Sequence, residues 1–225
     1  MNNKPNRSAR VTLAVALVAT SAIASTESTE EKSTMSQEAS ISAALLPSTH
    51  VQADRRAVTV DGERAVLTRF IRDDGRNAGL GGEHFSTVFS ETGVLKGFTN
   101  MSLELVGKPL PTRERTEQIA RSFLQDKAPD LLERMEISWI EPHDEPLKTV
   151  RNGRTEVVTL TGMKVKARNL ADGRWFWVIV GRDEKPMVFE RDIVWISFPG
   201  KRKTEKWLHD AWLVEQPAST STAGV

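Results

Sequence analysis

Alternation of apolar and polar side chains dominates the chain after about Arg56, and it predicts strands more than helices. The organising stretch runs over 162–197. Val165–Leu170 reads as a strand, Ala171-Asp172-Gly173-Arg174 as a tight turn, Trp175–Val180 as a second strand and Met187–Ile196 as a third. The middle strand, Trp175-Phe176-Trp177-Val178-Ile179-Val180, is apolar on both faces, so it needs cover on both sides or a groove that uses one of them. Upstream, Val58 and Val60 lead through Asp61-Gly62 to Ala65–Ile71, one expected hairpin. Phe85–Phe89 leads through Glu91-Thr92-Gly93 to Val94–Asn100, a second. Glu136–Glu141 and Thr155–Leu160 add two more strands, with Pro142-His143-Asp144-Glu145-Pro146 expected as a loop between them.

Helical spacing occurs in two places. Thr112 can cap a helix that has Glu114 at its positive end, and Ile119, Ala120, Phe123, Leu124, Ala128, Leu131, Leu132 and Met135 repeat at three- and four-residue intervals. Pro129 interrupts that stripe, so the helix runs to about Lys127 and a new turn starts at Asp130. Beyond Gly200, Trp207, Leu208, Ala211 and Trp212 share the face of a short last helix. The glycines of Asp73–Glu83 invite a phosphate-cradle reading. Yet Gly79-Leu80-Gly81-Gly82 lacks the dinucleotide spacing and no apolar helix follows, so a wide hairpin loop is expected. The expected fold class is α+β: a curved antiparallel sheet packed on a main helix, with a short C-terminal helix.

The leader changes the picture of location. Lys4, Arg7 and Arg10 precede an uncharged run over Val11–Ala24 that ends Ala22-Ile23-Ala24, the pattern of a signal peptide (1–24) cleaved before Ser25. Its 14 residues would make a helix of roughly 21 Å, short of the roughly 30 Å of a hydrocarbon core, so no stable membrane span is expected after cleavage. Residues 25–54 are rich in Ser, Thr and Glu and read as a disordered tether, in which the island Ile41–Leu46 can dock or form a helical turn. One domain over 55–215, divisible into pseudo-repeats 55–108 and 109–215, and a disordered tail over 216–225 complete the plan.

Composition adds exclusions. With 31 basic and 30 acidic residues the chain exerts no strong pull on nucleic acid, and loss of the leader's three basic residues leaves 28 against 30, a net charge of −2. With no cysteine, an exported chain must hold itself together by packing, which suits a periplasmic or secreted bacterial protein. No cofactor is implied.

Two segments resemble a known family. Phe85-Ser86-Thr87-Val88-Phe89-Ser90-Glu91-Thr92-Gly93-Val94-Leu95-Lys96-Gly97-Phe98 is similar to the closing hairpin of PepSY-like modules of secreted bacterial proteins, including the tandem kind of the YcdB/YcdC group. Thr112-Arg113-Glu114-Arg115-Thr116-Glu117-Gln118-Ile119-Ala120-Arg121-Ser122-Phe123-Leu124 resembles the helix that opens the next module. Glu91 stands where the family turn commonly has Asp. Residues 181–186 stand where a second Thr-Gly turn would fall. The resemblance implies a cystatin-like sheet around a helix and a binding or peptidase-modulating role, and it carries over no functional residue.

Candidate chemistry is sparse. Glu190 and Asp192, two apart on one strand, could serve a glycoside as acid and base, or could pair with Lys164, Lys166 or Arg168 on a wet face. His143, Asp144 and Glu145 offer ligand atoms in a proline-bounded loop, but there is no His-x-x-x-His, and a solvated acidic loop is favoured over a metal site. There is no cysteine nucleophile and no Gly-x-Ser-x-Gly elbow. Lys201, Arg202, Lys203 and Lys206 beside Trp207 and Trp212 could touch anionic lipid or a polyanion; the favoured reading docks the tryptophans on the sheet and leaves the lysines in water. Six tryptophans and no tyrosine leave Trp139, Trp175, Trp177 and Trp195 as candidate ligand-binding residues, either gripping a peptide or sugar or filling the core. The expected function is a noncatalytic binding module of the bacterial cell envelope that binds a peptide or partner protein. The alternatives are a small secreted hydrolase using Glu190 and Asp192, and a peptidase inhibitor or modulator.

Overall fold

The computed structural model describes residues 38–215, apart from 108 and 199. The expected signal peptide, the first part of the tether and the tail at 216–225 lie outside the described residues. Helix α1 (residues 38–45) precedes β1 (His50–Val60), β2 (Glu63–Arg72), β3 (His84–Ser90) and β4 (Leu95–Met101). A 3₁₀ turn at Leu103–Leu105, α2 (Arg113–Lys127) and α3 (Pro129–Leu132) follow. Then come β5 (Met135–Arg151), β6 (Arg154–Asn169), β7 (Trp175–Val180), β8 (Pro186–Ile193), β9 (Trp195–Ile196), β10 (Lys201–Arg202) and α4 (Asp210–Glu215).

Eight strands form one antiparallel sheet in the order β1-β2-β3-β4-β8-β7-β6-β5. Two four-stranded meanders thus meet where β4 pairs with β8, through Gly97↔Glu190, Phe98↔Phe189 and Thr99↔Val188. Among the described residues 49% are strand and 20% helix, which overturns the expected α+β sheet packed on a main helix: the sheet is the framework and the helices are few and short. Much of the difference lies in β5 and β6. Pro142–Pro146, expected as a loop, continues β5, and Asn152-Gly153, at φ 50° and 74°, turns the chain directly into β6. Prolines fit because β5 is an edge strand, where a missing N–H removes no hydrogen bond from an inner ladder.

Both faces of β7 are covered, as its apolar sequence requires. On one face Phe176, Val178 and Val180 join a core with Phe85, Phe98, Phe123 and Phe189, closed by α2 and α3. Thr112 caps α2 by accepting from Arg115 N–H at 3.2 Å, and Phe123 packs its ring 5.5 Å from Phe98 and 5.2 Å from Phe189. Ile41, Leu45 and Leu46 dock on this core, and β1 opens at His50, so structure begins inside the stretch read as tether. On the other face Trp177 and Ile179 pack with Met101, Leu147, Leu160 and Val188. The sheet curls on this side until β5 meets the loop before β3: Lys148 N–H donates to Gly81 O at 2.7 Å and Val150 N–H to Asn77 Oδ1 at 3.2 Å. Among the described residues no helix is long and apolar enough to cross a membrane.

Candidate functional site

Period-two geometry places Lys164, Lys166 and Arg168 of β6 on the same face as Trp175, Trp177 and Ile179 of β7, through the pairs Lys164↔Ile179, Lys166↔Trp177 and Arg168↔Trp175. Trp139 of β5 pairs with Lys166 from the other side, after a bulge between Ile137 and Trp139. Trp195 arrives on β9, which follows β8 after one residue. Three indoles therefore converge on one ammonium: Lys166 Nζ lies 4.5 Å from the Trp175 ring centroid, 5.6 Å from Trp139 and 5.9 Å from Trp195. The Arg168 guanidinium is 5.8 Å from Trp175. Lys166 forms no ion pair among the described residues. Trp139 and Trp175 are half-buried and Trp195 is 49% exposed, so this part of the face is open.

Trp177, the fourth sequence candidate, belongs to the covered side of the same face. Lys164 Nζ stands 3.9 Å over its ring and the Arg202 guanidinium 5.6 Å from it. Burial, only partly offset by the Glu190 charge, holds the Lys164 ammonium down to about 8.

The structure separates Glu190 from Asp192. A bulge in β8 sets Trp175 opposite Ile193 and Trp177 opposite Glu190, and Asp192 adopts φ 61°. The two-residue period is broken there, so the carboxylates enter different ion-pair groups. Glu190 accepts from His209 Nε2 at 2.8 Å and pairs with Arg202 Nη1 at 2.6 Å. Asp192 pairs with Lys96 Nζ at 2.8 Å and Arg191 Nε at 3.4 Å. Burial alone would raise the Glu190 carboxyl, yet His209 and Arg202 hold it down to about 2. Asp192 is likewise held low against its burial by Arg191 and Lys96. Neither supplies the protonated carboxyl that glycoside hydrolysis needs near neutral pH. The partners expected for them, Lys166 and Arg168, lie instead among the tryptophans.

The remaining candidates scatter. His143 Nε2 and Glu145 Oε1 are 3.2 Å apart on β5, while Asp144 accepts from Thr161 Oγ1 at 2.7 Å. Among the described residues no three His, Cys, Asp or Glu side chains gather as a metal site would require. Trp207 and Trp212 pack edge to face at 4.6 Å, and Trp207 Nε1–H donates to Thr59 O at 2.6 Å, docking the C-terminal segment on β1. Lys201, Lys203 and Lys206 are exposed, but Arg202 turns inward to Glu190.

Sequence reasoning missed His84, Arg69 and Asp210. Arg69 donates two hydrogen bonds to Asp210, at 2.6 and 2.9 Å, and the Gly81 N–H donates to the same carboxylate. One signal was available: Arg69 sits on β2 in register with Ser86, among positions that the alternation assigns to a covered face, where an arginine needs a buried partner. No family model, curated protein or solved structure matches the chain.

Proposed function

We propose that the protein is an exported, noncatalytic binding module of the bacterial cell envelope that grips an acidic peptide, or an acidic surface of a partner protein, on its tryptophan-bearing face. The observation that carries this reading is Lys166, an ammonium ringed by three indoles and without an ion pair among the described residues. Indoles supply rigid contact area and the ammonium, with Arg168 beside it, supplies the charge that selects a carboxylate-bearing partner. Export rests on the charged, apolar and small-residue succession of the leader. The hydrolase alternative loses its acid in the ion pairs of Glu190 and Asp192, and the peptidase-modulator alternative rests only on the resemblance of residues 85–124.

Titration of the full chain with Glu-rich, uncharged and Lys-rich peptides, followed by tryptophan fluorescence, tests the proposal. The Glu-rich peptide should shift the emission, and Lys166→Glu should weaken its binding at least tenfold while the fold persists by circular dichroism. An emission indifferent to all three peptides removes the proposal.

A further inference from the structure

A cavity of about 200 Å³ lies between α4 and the curled face of the sheet, away from the tryptophan cluster. Its walls are apolar: Met101 and Val188 from the sheet, Leu208 and Val214 from the C-terminal segment. Val157, 64% exposed, stands at its mouth.

One buried side-chain atom among the lining residues has no hydrogen-bond partner. His84 is 3% exposed, its Nδ1 lies 2.9 Å from Gly82 O, and its Nε2 has no hydrogen-bond partner among the described residues. A carbonyl accepts, so Nδ1 carries the hydrogen, and Nε2 is left as a bare acceptor. Burial, reinforced by the Arg69 guanidinium, keeps the ring neutral in spite of Asp210 at 3.6 Å. A buried acceptor without a donor is destabilising, and that loss is recovered by whatever brings an O–H to it.

The other charges around the cavity, the exposed Lys148 apart, occur as opposed groups. Asp210 is held by Arg69, and His209 by Glu190. Glu145 faces His143, and Lys148 crosses the rim. A ligand of either sign meets both attraction and repulsion there, and the apolar walls penalise a net charge. The volume also sets a size: an engineered apolar cavity of about 150 Å³ takes a benzene ring, so this one suits about eight or nine non-hydrogen atoms.

We infer that this cavity is a binding site for a small, neutral, apolar molecule bearing one hydroxyl, of the phenol or cresol class, whose O–H donates to His84 Nε2. The inference goes beyond the acidic-partner reading and shares no ligand-contacting residue with it, so either can fail alone.

Calorimetric titration of the full chain with p-cresol and with toluene tests it. The two differ by the hydroxyl alone. The wild type should bind p-cresol about tenfold more tightly, the worth of one hydrogen bond to a buried acceptor. His84→Phe should erase that preference while retaining toluene, and Val157→Trp should block both at the mouth. Should His84→Phe fail to fold, the ¹⁵N resonance of His84 Nε2 in the wild type decides: p-cresol should move it and toluene should leave it in place. Equal affinity for the two compounds, no binding of either, or an Nε2 resonance indifferent to p-cresol overturns the inference.

Discussion

Lys164 shows how a single side chain can be read in both stability and pH. Its ammonium is buried at 8% exposure, over the Trp177 ring, and burial holds its pKa down to about 8 from an ordinary 10.5. Between those two values the unfolded chain binds more protons than the folded one, so stability should rise as pH climbs through the window. The depression corresponds to a penalty on the order of 3 kcal/mol at pH 7, and the cation–π contact with Trp177 returns up to about 2 kcal/mol of it. Lys164→Met should therefore raise stability at pH 7 by about 1 kcal/mol and flatten the rise between pH 8 and 10.5. Urea melts of the two proteins across that range measure both effects. A variant less stable than wild type at pH 7, with an unaltered pH slope, would show that Lys164 is held by something other than the Trp177 face. Lys164 also shows where residue-level reading falls short: its alternation position marked it as wet, because nothing in a periodicity reveals a C-terminal segment folded over that face.

At the scale of elements, the meanders were legible and the join between them was not. Asp61-Gly62 and the β7 strand stand as their local patterns predict, because turn chemistry and period-two alternation act over a few residues. The long hairpin of β5 and β6 spans what local patterns divide into three shorter strands, Glu136–Glu141, Thr155–Leu160 and Val165–Leu170, and a loop at Pro142–Pro146. Pro142 and Pro146 argue against an inner strand, and only knowledge that β5 is an edge makes them harmless; Asn152-Gly153 was the overlooked local signal. The pairing of β4 with β8 joins residues about ninety positions apart, and its one sequence trace is Gly97. A Cβ built there would sit 2.5 Å from Phe189 O and 2.7 Å from Leu208 Cδ1, so backbone and C-terminal segment both press on the missing side chain. Gly97→Ala should destabilise by about 1–3 kcal/mol through overpacking at the seam. Thermal unfolding checks this, and the companion Gly153→Ala, whose site has open space but φ 74°, should act through backbone strain in the β5–β6 turn without disturbing the seam.

For the whole molecule, the C-terminal segment is the tie that sequence periodicity could not place. Trp207 reaches β1 through Thr59 O, Asp210 reaches Arg69 on β2 and Gly81 before β3, and Arg202 and His209 reach Glu190 on β8. Fifteen residues thereby bridge both meanders on the face opposite α2 and roof the His84 cavity. Their hold combines the packing of Leu208 and Leu213 on Val58, Leu67 and Val88 with buried ion pairs, and the pairs make it sensitive to the loss of one partner: an unpaired buried charge costs about 3–5 kcal/mol, while the intact pair contributes far less than that. Asp210→Asn leaves Arg69 at 8% exposure without its counter-charge and should cost about 3 kcal/mol. The loss should be local in its first consequence. Hydrogen exchange should accelerate in α4 and the loop before β3, while the amides of β6 and β7, under α2, keep their protection. Equal acceleration across all eight strands would instead mean that the segment is part of a single cooperative core, and that the cavity beneath it cannot open without unfolding the protein.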